Sequence, residues 1–235
     1  MSEREVAIIV GAGPGLGAAL ARRFSAAGLI VAVAGRDLSK SKKIAASIGP
    51  AVHAFQCDAT VEHQVEHLFD AVEQELGAPS LAIHNVGAYL RKSILESTLD
   101  DLESCWRLCC RGGFLVGRAA ARKMVPRGRG TILFTGATSG VRGAALFHNN
   151  AVAKAGVRAL SQSMARELQP MGVHVAHIVI DGPIESEMLR STLDKRDPAS
   201  FLHSEAIAET YYQLHRQHRS AWTQEVDLRS WKEGF

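Results

Sequence analysis

Val6-Ala7-Ile8-Ile9-Val10-Gly11-Ala12-Gly13-Pro14-Gly15-Leu16-Gly17-Ala18-Ala19-Leu20-Ala21-Arg22-Arg23-Phe24 decides the fold. An apolar run of strand length meets four glycines and then a run of good helix formers, which predicts strand, tight turn and helix. Glycine serves where backbone must take a positive φ or approach a ligand closely. A helix that starts there aims unpaired N–H groups and the positive end of its dipole at the turn, a setting that suits a phosphate. The spacing refines this. G-x-G-x-x-G would need glycine at position 16, where Leu16 stands; G-x-x-x-G-x-G fits, with Gly11, Gly15 and Gly17. No Lys-Ser/Thr pair follows, which disfavours a triphosphate P-loop.

Working outward, strands and helices alternate. Leu29–Ala34 reads as a strand buried on both faces, followed by Asp37 as the cap of a helix from Leu38 to Ser47. Ala51–Gln56 is a third strand. Thr60 is expected to cap a helix running to about Glu75. Leu81–Asn85 is a fourth strand, and Thr98 to about Met124 a long helical region in which Gly112-Gly113 allow close packing or a kink. Gly130–Thr135 and Val173–Ile180 are further strands, separated by a helix from Phe147 to Leu168 with a stripe of Val152, Val157, Leu160 and Met164. This pattern predicts an α/β fold: one doubly wound parallel sheet of about seven strands, helices on both faces, in one domain over residues 1–235. Ligands of such sheets bind outside the carboxyl ends of the strands, where Gly11–Gly17, Arg36, Asp58, Asn85 and Gly136–Gly140 all fall. Gly35 occupies the place of the acid that would select a ribose 2′-hydroxyl, and Arg36 follows. That order favours NADP over NAD.

Composition limits the alternatives. The 235 residues are 46% hydrophobic and 22% charged, with a net charge of +3. The basic residues follow no single face, so nucleic acid is not an expected partner. Cys57, Cys105, Cys109 and Cys110 form no C-x-x-C pair, and the first residues lack a signal-peptide pattern. Both features suit a reducing cytoplasm. No apolar stretch has bilayer length, so no membrane association is expected. His63, Glu66 and His67 match the H-x-x-E-H zinc signature, but no further carboxylate ligand follows in context. Both histidines lie partly off the apolar stripe of Val61, Val65, Leu68 and Val72, so they are expected to face solvent and no metal is expected.

Taken together, these residues resemble the short-chain dehydrogenase/reductase family over nearly the whole chain. Gly11, Gly13, Pro14, Gly15, Leu16 and Gly17 match its cofactor turn, and Asp58-Ala59 its adenine-contacting pair. His84-Asn85-Val86-Gly87 resembles its Asn-Asn-Ala-Gly element. Ile184 and Ser186 resemble the segment that holds the nicotinamide carboxamide, and the helix from Lys154 to Leu168 is characteristic. Ala221–Asp227 resembles its last strand, and Glu185–His203 its substrate lid. The resemblance implies an oxidoreductase using NADP or NAD on a small-molecule carbonyl or alcohol, assembled as a homodimer or homotetramer.

The departures lie in the catalytic set. Lys154 matches the family lysine, but Asn150 stands in the place of tyrosine, Ala137 in that of serine (with Thr138 one residue on) and Cys109 in that of asparagine. An amide can donate a hydrogen bond but cannot give up a proton near neutral pH. His148, Tyr89 and Thr138 are candidate substitutes. His148 is expected to point away from Asn150, Tyr89 to pack within its loop, and Cys109 to be an inert packed thiol. Two functions compete: an oxidoreductase with a rearranged proton relay, and an NADP-holding sensor or partner protein that has lost catalysis. A zinc hydrolase built on His63, Glu66 and His67 is remote.

Overall fold

The strand β1 (Val6–Val10) is fully buried, as a strand must be when it has neighbours on both edges and helices on both faces. This computed structural model describes residues 4–185 and 197–232. From β1 the chain runs through α1 (Leu16–Ala26), β2 (Ile30–Gly35), α2 (Leu38–Ile48), β3 (Val52–Gln56), α3 (Glu62–Leu76) and β4 (Pro79–His84). It continues through α4 (Leu99–Trp106), α5 (Gly112–Met124), β5 (Gly130–Thr135), α6 (His148–Leu168), β6 (Val173–Asp181), α7 (Ser204–Arg216) and β7 (Glu225–Arg229). The strands form one seven-stranded sheet in the order β3-β2-β1-β4-β5-β6-β7, every neighbouring pair parallel. Strand order therefore reverses between β1 and β4, and the crevice outside their carboxyl ends is where ligands of open α/β sheets bind.

Side-chain alternation along β1 feeds two cores. Val6, Ile8 and Val10 face Leu68, Phe69, Val116 and Val157 of α3, α5 and α6. Ala7 and Ile9 face Leu20, Phe24, Ile207 and Tyr211 of α1 and α7. Full burial of each large aliphatic or aromatic side chain contributes about 1.5–3 kcal/mol, so these two layers supply most of the driving force.

The structure corrects several local expectations. Thr60 does not cap α3; Val61 does, without a side-chain bond, while the Thr60 N–H and hydroxyl both donate to Asp58 Oδ1, at 2.9 and 2.8 Å. An aspartate two residues upstream captures Thr60 in a local turn before the helix begins. The last strand starts at Glu225, inside Ala221–Asp227 rather than at its head. The Trp222 ring stacks on His174 and the Gln217 side chain receives the Thr223 N–H, which holds the preceding residues as a turn. Strand six runs one residue further than expected, to Asp181. His63 and His67 are exposed, and Glu66 is paired with Arg122 at 2.9 Å.

The long helix from Thr98 to Met124 is continuous, and a π-helical turn over Arg107–Arg111 joins α4 to α5. Thr98 and Asp101 form a capping box at its start. Gly112 and Gly113 sit just past the π turn against His84, whose Nε2 lies 3.3 Å from where a Gly112 Cβ would be. The His84 imidazole is fully buried, and neither ring nitrogen has a hydrogen-bond partner among the described residues. Burial, then the Lys154 charge, hold its pKa at about 3 against an opposing pull from the Leu108 backbone.

An unfolded histidine titrates near 6.5. The unfolded chain therefore takes up a proton that folded His84 refuses between about pH 6.5 and 3. Its contribution is fully present above that window and is lost as pH falls through it, by up to about 1.4 kcal/mol per pH unit. His84→Leu is expected to flatten the acid limb by one proton's worth, measured by urea unfolding from pH 7.5 to 4.5. An unchanged slope contradicts the assignment.

Candidate cofactor and active site

Gly11 takes φ +94°, and its missing side chain lets the turn after β1 lie directly on Asn85, just past β4. A Cβ at Gly11 would stand 2.7 Å from the Asn85 carbonyl carbon, and one at Gly17 2.7 Å from Ala12 Cα. These two glycines are required for packing. Gly13, Gly15 and Gly87 differ: a Cβ there would meet nothing within 4 Å. They face the open crevice. α1 begins at Gly15 with no side-chain cap and no acid in its first turn, so its amino end is left to an external anion. Leu16 turns its side chain into the core.

Beside this turn lies a recess of about 220 Å³, lined among others by Gly35, Arg36, Asp58, Ala59, Asn85 and Val86. Asp58 is fixed by the two Thr60 bonds, and its own N–H donates to Gln64 at 2.8 Å. Arg36 is exposed at the end of β2, its carbonyl held by the Gln56 amide at 3.1 Å. An uncapped helix start, open glycines and a recess at the order reversal form a cradle that fits a dinucleotide.

At the same edge, the Asn85 amide donates to Gly11 O at 3.0 Å and its oxygen accepts from the Thr135 hydroxyl at 2.9 Å. That hydroxyl proton is thereby used, so the buried Tyr211 hydroxyl donates to Thr135 Oγ1, at 2.8 Å. Burial raises the Tyr211 pKa above the usual phenol range. Lys154 is also buried. Its Nζ donates to Thr135 O at 2.8 Å and to Val86 O at 3.4 Å. Burial pushes the ammonium below the usual lysine range, while Cys109 opposes this. Cys109 itself is fully buried on the π turn. A π turn of this kind is common near functional sites.

Residues 5–197 match the family described as short chain dehydrogenase. The chain belongs to that family. A short-chain dehydrogenase from Rhodopseudomonas palustris is 36% identical, with a TM-score of 0.82 covering 97% of this chain and 99% of that one. The 3-oxoacyl-acyl-carrier-protein reductase MabA of Mycobacterium tuberculosis is 31% identical over 189 residues, 80% of this chain and 72% of its own. Galactitol 2-dehydrogenase of Agrobacterium fabrum is 31% identical over 182 residues, 76% of this chain and 71% of its own. The last two carry unrelated substrate names at equal identity, so similarity ranks neither substrate for this dehydrogenase.

The positions that match the family's catalytic set are arranged as follows. Asn150 does not point free into the crevice: its Nδ2 donates to Ala88 O and its Oδ1 accepts the Leu90 N–H at 3.1 Å. Ala137 offers no hydroxyl. The Thr138 hydroxyl donates to Asp181 Oδ1 at 2.7 Å, so its one proton is committed. The His148 ring meets Ser97 Oγ at 2.8 Å, turned away from Asn150. Tyr89 packs edge-on against Phe147 at 5.6 Å yet stays 78% exposed, so it packs less than expected. Ile184 bridges Leu202 beyond β6; Ser186, and most of the lid that contains it, lie outside the described residues.

Sequence reading missed Asp181. This carboxylate is 1% exposed and accepts from Thr138, from both Arg142 Nη atoms at 3.0 and 3.1 Å, and pairs with Arg229 at 2.8 Å. Burial alone would raise its pKa; the Thr138 hydroxyl and the two guanidinium groups outweigh that and lower it. The signal available was an acid ending a strand whose other residues are apolar except His174 and His177.

Asn150→Ala removes both bonds to the segment after β4 and orphans a carbonyl and an N–H. The expected loss is about 1–3 kcal/mol, with faster amide exchange confined to residues 88–92 and neighbours. Unchanged exchange at Leu90 contradicts the clamp.

Proposed function

We propose that this short-chain dehydrogenase is an NADP(H)-dependent oxidoreductase acting on a carbonyl or alcohol carbon of a small molecule, with an altered proton relay. The observation that carries it is the convergence of the open glycine turn, the Asp58 recess and the Lys154 amine on one edge of the sheet, at the strand-order reversal. In this reading Gly13, Gly15 and the α1 amino end receive the pyrophosphate. Asp58 and Ala59 border the adenine, Val86 and Gly87 line the path between, and Lys154 meets the nicotinamide ribose. Ile184 and Ser186 take the carboxamide. When bound, the nicotinamide ring supplies the site at which hydride is gained or lost.

The chain's own residues must handle the proton. Thr138 has its one proton committed, Asn150 is an amide that gives up no proton near neutral pH, and Ala137 has none to offer. Lys154 remains: two of its three N–H groups go to backbone oxygens, leaving one, and burial makes its proton easier to release. We assign Lys154 Nζ as the group that exchanges the proton with the substrate oxygen. Without a phenol between them, turnover is expected to be slower by about 10²- to 10⁴-fold than with an intact relay.

A second reading, an NADP-holding protein without catalysis, draws support from the same shortage of proton donors. Turnover separates the two. Lys154→Met is expected to abolish carbonyl-dependent NADPH consumption, and Lys154→Arg to restore binding without restoring rate. Tight NADPH binding with no consumption across aldehydes, ketones and oxo acids favours the second reading.

Coenzyme choice is tested separately. Arg36 offers a guanidinium where an acid would repel a 2′-phosphate. Arg36→Asp is expected to weaken NADPH by ~10-fold or more while NADH binding holds or improves, by fluorescence titration. Equal weakening of both contradicts the preference.

A further inference from the structure

The Asp181 cluster joins two guanidinium groups, and one of them, Arg229, is also paired with Asp227 at 2.5 Å. One carboxylate, 2% exposed as a side chain, is shared between the guanidinium groups of Arg142 and Arg229. Arg142 lies in the segment between β5 and α6, seven residues beyond the Thr135 that ends β5. It grips Asp181 end-on through both Nη atoms, yet its side chain remains 44% exposed. A guanidinium carries five N–H groups in a fixed fork, and two serve Asp181. Among the described residues the other three have no partner. A buried anchor thus holds a half-exposed cation in one orientation, with N–H groups to spare.

The surrounding segment is fixed as well. Leu146 sits at φ 70°, an unusual conformation for a side-chain-bearing residue. Its carbonyl accepts the Lys92 N–H at 2.9 Å, and Phe147 meets Tyr89. Asn150 adds its bonds to Ala88 and Leu90. The segments 88–92 and 141–150 are therefore tied together at the carboxyl edge of the sheet, on the side of β5 where Lys154 lies. Val141, beside Arg142, is 47% exposed.

We propose that Arg142 selects substrates bearing a carboxylate, which it receives through the N–H groups that Asp181 leaves over. This rests on the oxidoreductase reading of the same site. A side-chain-to-side-chain pair that only pinned the segment to β6 would not need the exposure. A guanidinium ordered before binding loses little freedom when an acid docks, which favours a two-point, charge-assisted contact.

The test uses the full chain with NADPH and a series of oxo acids, 2-oxobutanoate, 4-oxopentanoate and 6-oxoheptanoate, each paired with its methyl ester. At least one acid is expected to have a KM ~10- to 100-fold below that of its ester. Arg142→Gln is expected to erase that difference by raising the KM of the acid, with kcat for the ester unchanged. Arg142→Lys, which keeps charge but not the fork, is expected to recover part of it. Calorimetry of the NADP⁺-loaded protein with hexanoate against hexanamide reads the same contact without turnover. Esters and acids reduced alike, with Arg142→Gln silent, overturn acid selection and leave the reductase reading standing. Hexanoate binding that depends on Arg142, with no carbonyl reduced, leaves the anion contact standing and removes the reductase reading. No preference for hexanoate over hexanamide overturns the proposal.

Discussion

The contact on which the rest depends is the seating of the Gly11 turn on Asn85. It is possible because Gly11 has no side chain and takes a positive φ. Asn85 then closes the gap with its own amide, donating to Gly11 O and accepting from Thr135. Thr135 in turn receives the Tyr211 hydroxyl from α7 and offers its carbonyl to Lys154 from α6. One polar chain thus links β1, β4, β5 and two helices at the carboxyl edge of the sheet, all of it buried or half-buried. Each side chain in it finds a hydrogen-bond partner, which is what makes a buried polar chain stabilising rather than costly. It also fixes the two points that a dinucleotide spans on the proposed reading, the amino end of α1 and the Lys154 amine.

The same accounting of hydrogens explains what is unusual about the site. Thr138 and Asn150 occupy or adjoin the places where the family resemblance puts a hydroxyl and a phenol. Both are held by partners on the protein: Asp181 for Thr138, the backbone of residues 88–90 for Asn150. The amide has become a clamp between α6 and the segment after β4. Lys154, cut off from a phenol, is left as a desolvated amine among backbone carbonyls. On the reading proposed above, the geometry of the crevice is kept while its proton chemistry is rearranged.

Much of this was legible from the residues. The doubly wound parallel sheet followed from alternating apolar runs and helical stripes, and the Gly11–Gly17 turn marked the crevice because a strand, four glycines and a helix in succession admit few other readings. The recess residues Asp58, Ala59 and Asn85 were found because each sits just past a strand. What escaped was side-chain partnership across long separations. Asn150 read as a missing phenol because spacing names a position and says nothing of where an amide will find its acceptor. Asp181 was missed because its partners lie 39, 43 and 48 residues away in sequence. Thr60 failed as a cap because Asp58 competes for it locally, and the last strand was placed early because Trp222 looks like strand but stacks on His174. The π turn at Arg107–Arg111 carried no signal beyond the paired glycines after it.

A crystal structure of the protein grown with saturating NADP⁺ tests the central claim most directly. The account expects pyrophosphate oxygens within hydrogen-bonding distance of the N–H groups of the first turn of α1. It expects ribose hydroxyls on Lys154 Nζ, and Asn150 still bonded to Ala88 and Leu90. A nucleotide bound away from the Gly13–Gly15 opening, or an Asn150 amide swung off the loop and onto the nicotinamide, contradicts it.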